Sequence, residues 1–301
     1  MSTKAPPSRA AARHWLNVFR LWDQYLTPHH LLTRLMLRAT RVRAAWFKNW
    51  QIRWFVKRYG VNLDETPETR PEAYPCFNAF FTRPLKPGLR PLPTDPNTVI
   101  SPVDGTVSQL GTIHGERLFQ AKGHRFDLAT LLGGAAERAA PFREGLFATV
   151  YLAPRDYHRI HMPMDGVLQE TVYLPGRLFS VSPRTVSAVP ALFARNERLV
   201  AVFSTDCGPM AVILVGAMFV AGMETVWDPT PTLSGGKKVA KHFGNAEPQI
   251  KLARGEELGR FNMGSTVIVL LPARRYTLAA GLRANSSIKM GQSLARRLRP
   301  A

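Results

Sequence analysis

An aspartate, a pair of histidines and a serine, spread along 301 residues, could meet as a nucleophile, its base and a charged group that steadies the base. The serine is Ser265 in Gly264-Ser265-Thr266, at the head of the apolar run Thr266-Val267-Ile268-Val269-Leu270-Leu271. The aspartate is Asp104, in Ser101-Pro102-Val103-Asp104-Gly105-Thr106-Val107, and the histidines are His158 and His161, in Tyr157-His158-Arg159-Ile160-His161-Met162-Pro163. The neighbour of Ser265 gives that serine a distinct chemistry. Glycine has no Cβ, so a nucleophile can approach the Gly264 carbonyl closely, and the backbone there can adopt strained angles. Attack by the Ser265 hydroxyl would convert the amide to an ester. Removal of the Ser265 Cα proton would then expel Gly264 as a carboxylate, and the dehydroalanine left behind would hydrolyse to an N-terminal pyruvoyl group. Serine suits this sequence because its CH2 becomes the methyl of the ketone.

Each of these residues also has a plain structural reading. Gly-Ser-Thr alone is a weak signal and also fits the entry to a strand. Asp104-Gly105 between apolar residues is a turn signal. On a helix, His158 and His161 would share a face and could bind zinc for a hydrolase. Pro163 and Asp165-Gly166 favour a loop instead, and no Cys-x-x-Cys or Glu-rich helix supplies further ligands, so no metal is expected. Cys76 and Cys207 lie far apart in sequence and fit a reducing compartment without a disulfide.

The elements that must position these residues fall into three stretches. With 45% apolar residues the chain is long enough and apolar enough to be globular. Its net charge of +19 is concentrated at the start: residues 1–60 hold twelve Lys/Arg and one acidic residue, Asp23. Trp15, Trp22, Trp46, Trp50 and Trp54 fall in the same segment. Basic residues interleaved with aromatic ones at helical spacing point to an anionic membrane surface rather than to nucleic acid. The pattern predicts helices over 13–26, 28–41 (with Thr27-Pro28 opening it) and 43–59, ending near Gly60. Packing of these helices on the protein's own body is the competing expectation.

Residues 61–98 read as a proline-rich connector docked through Phe77, Phe80 and Phe81. From residue 99 to 301 the pattern is β-rich, with strands expected at 99–109, 146–152, 166–173, 199–204, 210–220 and 265–271. A helix over 184–194, a shorter one over 126–132 and a flexible loop over 229–247 complete the reading. The uncharged run from Cys207 to Met223 is rich in Val, Ile and Gly and reads as buried strands rather than a membrane span. No secretory signal is visible, since arginines interrupt every early apolar stretch. The expected fold class is α+β, a mainly antiparallel β core with an N-terminal amphipathic helical region.

Longer motifs extend along nearly the whole chain. They are Leu32-Thr33-Arg34-Leu35, Phe77-Asn78-Ala79-Phe80-Phe81-Thr82-Arg83-Pro84-Leu85, Gln120-Ala121-Lys122-Gly123-His124, the histidine segment 157–163, Leu192-Phe193-Ala194-Arg195-Asn196-Glu197-Arg198, Gly222-Met223-Glu224-Thr225-Val226-Trp227 and Gly259-Arg260-Phe261. In these the chain resembles the phosphatidylserine decarboxylases of the bacterial, membrane-peripheral type. It departs at Met263, where that family usually has Leu before Gly-Ser-Thr, a swap that conserves volume and apolar character.

The resemblance implies self-cleavage between Gly264 and Ser265, giving a β chain (1–264) and an α chain (265–301) that remain together as a heterodimer, with further dimerisation left open. It maps a processing triad onto Asp104, His161 and Ser265, links His158 to decarboxylation, and makes a pyruvoyl group formed from Ser265 the only cofactor. The amine of phosphatidylserine would form an imine with that group and leave as phosphatidylethanolamine after CO2 is lost. The implied location is the cell membrane, peripheral and on the cytoplasmic side, without nucleic acid. A non-enzymatic β domain is the remaining alternative. Segments 101–107 and 288–292 resemble hairpins of lipoyl- and biotinyl-type carriers but lack the usual modified-lysine setting.

Overall fold

In a computed structural model, residues 27–121, 124–218, 222–229 and 236–298 are described. The helix expected over 13–26, with Trp15 and Trp22, lies outside them. Helix α1 spans His29–Thr40 and α2 spans Ala45–Tyr59. Gly60 closes α2 in the left-handed conformation at φ 66°, as a C-terminal glycine should. A short helix, α3 (Phe77–Phe81), follows in the connector.

The strands are β1 (Thr98–Ile100), β2 (Gly105–Thr112), β3 (Arg117–Ala121), β4 (His124–Asp127), β5 (Leu146–Tyr151), β6 (Arg159–His161), β7 (Gly166–Leu174), β8 (Arg198–Thr205) and β9 (Gly208–Val215). They continue as β10 (Met223–Thr225), β11 (Val239–His242), β12 (Lys251–Leu252), β13 (Glu257–Phe261), β14 (Thr266–Leu271), β15 (Tyr276–Leu278), β16 (Ser287–Ile288) and β17 (Ser293–Arg297). All paired strands are antiparallel, and with the helical start the fold is α+β.

The main sheet has nine strands in the order β11-β7-β8-β9-β14-β5-β2-β16, with β12 also on β7. Strand β14 runs through its interior, paired with β9 on one side and β5 on the other. All six of its residues are buried, which is why Val267 to Leu271 are apolar without alternation. Smaller sheets, β10-β13-β6 and β1-β17-β15, carry the histidine segment and the chain's end.

Several expectations need correction. The strand expected over 99–109 is two strands in different sheets, because the chain bends at residues 101–104 through Pro102. Gly105 is required by close approach: a Cβ there would lie 2.3 Å from the Tyr151 carbonyl oxygen. The helix expected over 184–194 is two single turns, Pro183–Val186 and Leu192–Arg195, separated by Pro190 and by Ala191 at φ 52°. The short helix expected over 126–132 is present as Leu128–Leu131, but it starts later because β4 runs to Asp127, whose carboxylate accepts from Thr130 N and caps it. Within the expected loop 229–247, residues 239–242 form an exposed edge strand on β7.

Helix α2 has two faces. Ile52 and Phe55 are buried in a cluster with Val61, Tyr74, Phe77, Phe80 and Phe81, separate from the main core. Trp46, Trp50 and Trp54, spaced four apart, point outward with relative exposures of 78%, 58% and 51%. Leu31 and Leu35 on α1 are exposed as well. Among the described residues no helix is long and apolar enough to cross a membrane.

Candidate active site

Ser265 sits at the mouth of β14, fully buried, with its carbonyl accepting from Leu152 N at 2.9 Å. Its hydroxyl has no hydrogen-bond partner. An unsatisfied buried hydroxyl carries a desolvation cost of about 1–3 kcal/mol, so its position calls for an explanation. The backbone at Gly264 is not left-handed. A Cβ on Gly264 would meet His158 Nε2 and the Leu152 carbonyl oxygen at 3.7 Å each.

His158 is therefore the imidazole beside the Gly264-Ser265 bond. Its Nδ1 donates to the Asp156 carbonyl at 2.7 Å, which leaves a lone pair on Nε2, and Nε2 is buried without a partner. The Phe81 ring of α3 lies against the imidazole, centroids 4.1 Å apart. Burial pushes the His158 pKa down to about 3, against a smaller upward push from the Asp156 hydrogen bond, so the ring is neutral. A neutral imidazole with a bare nitrogen can take a proton.

His161 is arranged differently. Its Nδ1 donates to the Gly255 carbonyl at 2.7 Å, and its Nε2 accepts from the Tyr157 hydroxyl at 3.0 Å. Burial lowers its pKa too. Neither ring nitrogen bonds Ser265 or Asp104.

Asp104 is 1% exposed and its carboxylate is fully engaged. Arg90 grips both oxygens, at 3.0 and 2.5 Å; Lys289 Nζ lies at 3.1 Å and the Met290 amide donates at 2.8 Å. Burial pushes the Asp104 pKa up, but Arg90, the Met290 amide and Lys289 outweigh it and hold the group below the usual carboxylate range. Asp104 acts on both histidines through its charge, favouring their protonated forms. The Asp104 charge thus reaches both histidines and His158 lies beside the Gly264-Ser265 bond, but the four residues do not form one hydrogen-bonded chain.

A cavity of about 180 Å³ opens onto Gly264, lined by Phe55 and Tyr59 of α2, Phe81, Tyr151 and Met263. The helical region therefore contributes directly to the site's wall. Sequence reasoning missed the contact of Phe81 with His158 and the hold of Arg90 and Lys289 on Asp104, because local patterns carry no trace of partners remote in sequence. Among the described residues no group of three or more His, Cys, Asp or Glu is placed to hold a metal ion.

A family model described as phosphatidylserine decarboxylase matches residues 77–296, and a second, described as PSD, matches residues 19–60. A phosphatidylserine decarboxylase proenzyme of Pseudomonas aeruginosa (strain LESB58) is 55% identical over 274 residues, 91% of this chain and 95% of that protein. Proteins of the same name from Pseudomonas putida (strain GB-1) and Alkalilimnicola ehrlichii are 54% and 52% identical over 276 and 270 residues, covering 91% and 90% of this chain and 96% and 93% of theirs. Matches of this extent establish that the chain belongs to the phosphatidylserine decarboxylase family of enzymes.

Proposed function

We propose that this chain cuts itself between Gly264 and Ser265 and that the pyruvoyl group made from Ser265 serves the decarboxylation of phosphatidylserine to phosphatidylethanolamine. The observation that carries the reading is the pair of buried, unpartnered polar atoms, Ser265 Oγ and His158 Nε2, at one glycine. In the cut, the Ser265 hydroxyl gives up its proton and adds to the Gly264 carbonyl, and the C–N bond breaks to leave an ester and a free amine. Loss of the Ser265 Cα proton breaks the ester C–O bond and releases Gly264 as a carboxylate. Water then replaces the nitrogen of the dehydroalanine, and ammonia leaves.

Asp104, His161 and Ser265 are the proposed processing set. Asp104 contributes its fixed negative charge, which favours the imidazolium formed as His161 takes a proton. His161 Nε2 holds its lone pair toward Tyr157, so that hydroxyl must yield or relay the proton. The cavity and the two bare polar atoms suit a small ketone at position 265, which when present supplies an electron sink for loss of CO2. His158, neutral and facing that position, can take the proton of the substrate's ammonium and return one to the carbon that loses CO2. After the cut, β14 keeps its pairing to β5 and β9, which would hold the α chain in place as half of a heterodimer.

The substrate lies in an anionic bilayer, and residues 1–60 are the proposed membrane-binding region, 61–98 the connector and 99–301 the catalytic part. The outward row Trp46, Trp50 and Trp54 with the basic charge of this segment supports a peripheral position on the cell membrane, on its cytoplasmic side. Mutagenesis with intact-mass analysis tests the division of roles. His161→Ala should remain one chain, whereas His158→Ala should be cut yet turn over slowly. Normal cutting and turnover in both would contradict the roles given to the histidines.

A further inference from the structure

Self-cleavage needs the Gly264 carbonyl held still while the neighbouring hydroxyl attacks, because small misplacements of reacting atoms cost orders of magnitude in rate. The segment before the bond is fastened most fully at Asn262, which is 1% exposed. The Asn262 carbonyl accepts from Asn78 Nδ2 of α3 at 3.1 Å. Its amide N–H donates to the Gly222 carbonyl at 3.1 Å, and its side-chain amide donates to Glu224 Oε1 at 2.9 Å. Glu224 is in turn fixed by Arg260 at 2.9 Å and approached by Arg41, at the end of α1, at 3.5 Å. Phe261 N donates to the His158 carbonyl at 3.1 Å, and Leu152 N holds the Ser265 carbonyl on the far side. Only Met263 and Gly264 separate this fastening from the bond to be cut.

We propose that Asn78 and Glu224 are positioning residues for self-cleavage, clamping Asn262 so that the Gly264 carbonyl is presented to the Ser265 hydroxyl. This rests on the self-cleavage reading above. The clamp acts before the bond is cut. Once Gly264 is a free carboxylate, its exact placement no longer limits turnover. A merely structural role would impair folding, cutting and turnover alike.

The test follows conversion of full-length precursor to two chains by intact mass, with thermal melting of the precursor and turnover of the isolated, cut fraction. Asn78→Ala and Glu224→Ala should each slow cutting about tenfold, the value of one well-made hydrogen bond to a held carbonyl or amide. Their melting temperatures should fall by only a few degrees, as loss of one buried hydrogen bond implies, and the turnover of their cut fractions should match the wild type. Glu224→Gln keeps an acceptor for Asn262 while losing the charge seen by Arg41 and Arg260, and should cut at nearly the wild-type rate. If the wild type never cuts itself, the underlying reading fails and takes the clamp with it. If the wild type cuts and both alanine variants cut equally fast, or lose cutting and turnover in the same proportion, the clamp alone is overturned.

Discussion

Replacing His158 with Gln in a chain kept whole by Ser265→Ala should change how stability responds to acid. In the folded protein His158 is buried and neutral, with its pKa pushed down to about 3. Unfolded, it titrates at the ordinary value near 6.5. Between these values the unfolded state binds a proton that the folded state refuses, so stability falls as pH falls. The slope is about 1.4 kcal/mol per pH unit for one group. From pH 7 to pH 4.5 the His158 chain should lose roughly 2.5 kcal/mol more than His158→Gln. His161 and the carboxylates are common to both chains and cancel in the difference. Urea unfolding at a series of pH values measures it, and the constant cost of the substitution drops out because only the slopes are compared. Parallel pH profiles would refute the argument that His158 presents a neutral, bare nitrogen to Gly264.

Changing Trp46, Trp50 and Trp54 together to Ala should weaken partitioning onto anionic vesicles about a hundredfold, taking roughly 1 kcal/mol for each half-inserted ring. Turnover of a soluble, short-chain lipid should be spared, and equal loss of both in a kinetic assay would mean that the row packs within the protein. Arg90→Met strips the buried Asp104 carboxylate of its bidentate partner and should cost about 3 kcal/mol near neutral pH in chemical denaturation. Because Arg90 helps hold the Asp104 pKa low, that contribution is present above the ordinary carboxylate range and fades as pH falls through the folded value. An unchanged difference between the two chains at low pH would contradict this.

What the sequence made legible followed from short-range physics. The apolar run 267–271 announced a strand, which the fold buries on both faces, and the basic, Trp-rich start announced helices, of which α2 turns Trp46, Trp50 and Trp54 outward. Gly60 marked the end of α2 because a helix terminus needs its left-handed conformation. The misses arose where a local pattern was cut by a single residue. Pro190 split one expected helix, and Pro102 bent one expected strand into two sheets. At the site, the residue types were readable but their bonds were not. Asp104 looked like an orienter for a histidine, yet its partners are Arg90, fourteen residues earlier, and Lys289 and Met290, more than 180 residues later. Periodicity carries no trace of such contacts. That His158 rather than His161 lies beside Gly264 likewise left no trace in the sequence pattern: His158 precedes β6, whereas His161 ends it opposite Glu257 of β13.

The most direct test of the account is the mass of freshly purified protein under denaturing conditions. The prediction is two chains, 1–264 and 265–301, the smaller lighter by one ammonia than a chain starting with serine, and a borohydride-stable adduct of the smaller chain after incubation with phosphatidylserine. Active protein that is one unbroken chain, or a smaller chain that starts with an intact serine and forms no adduct, would contradict it.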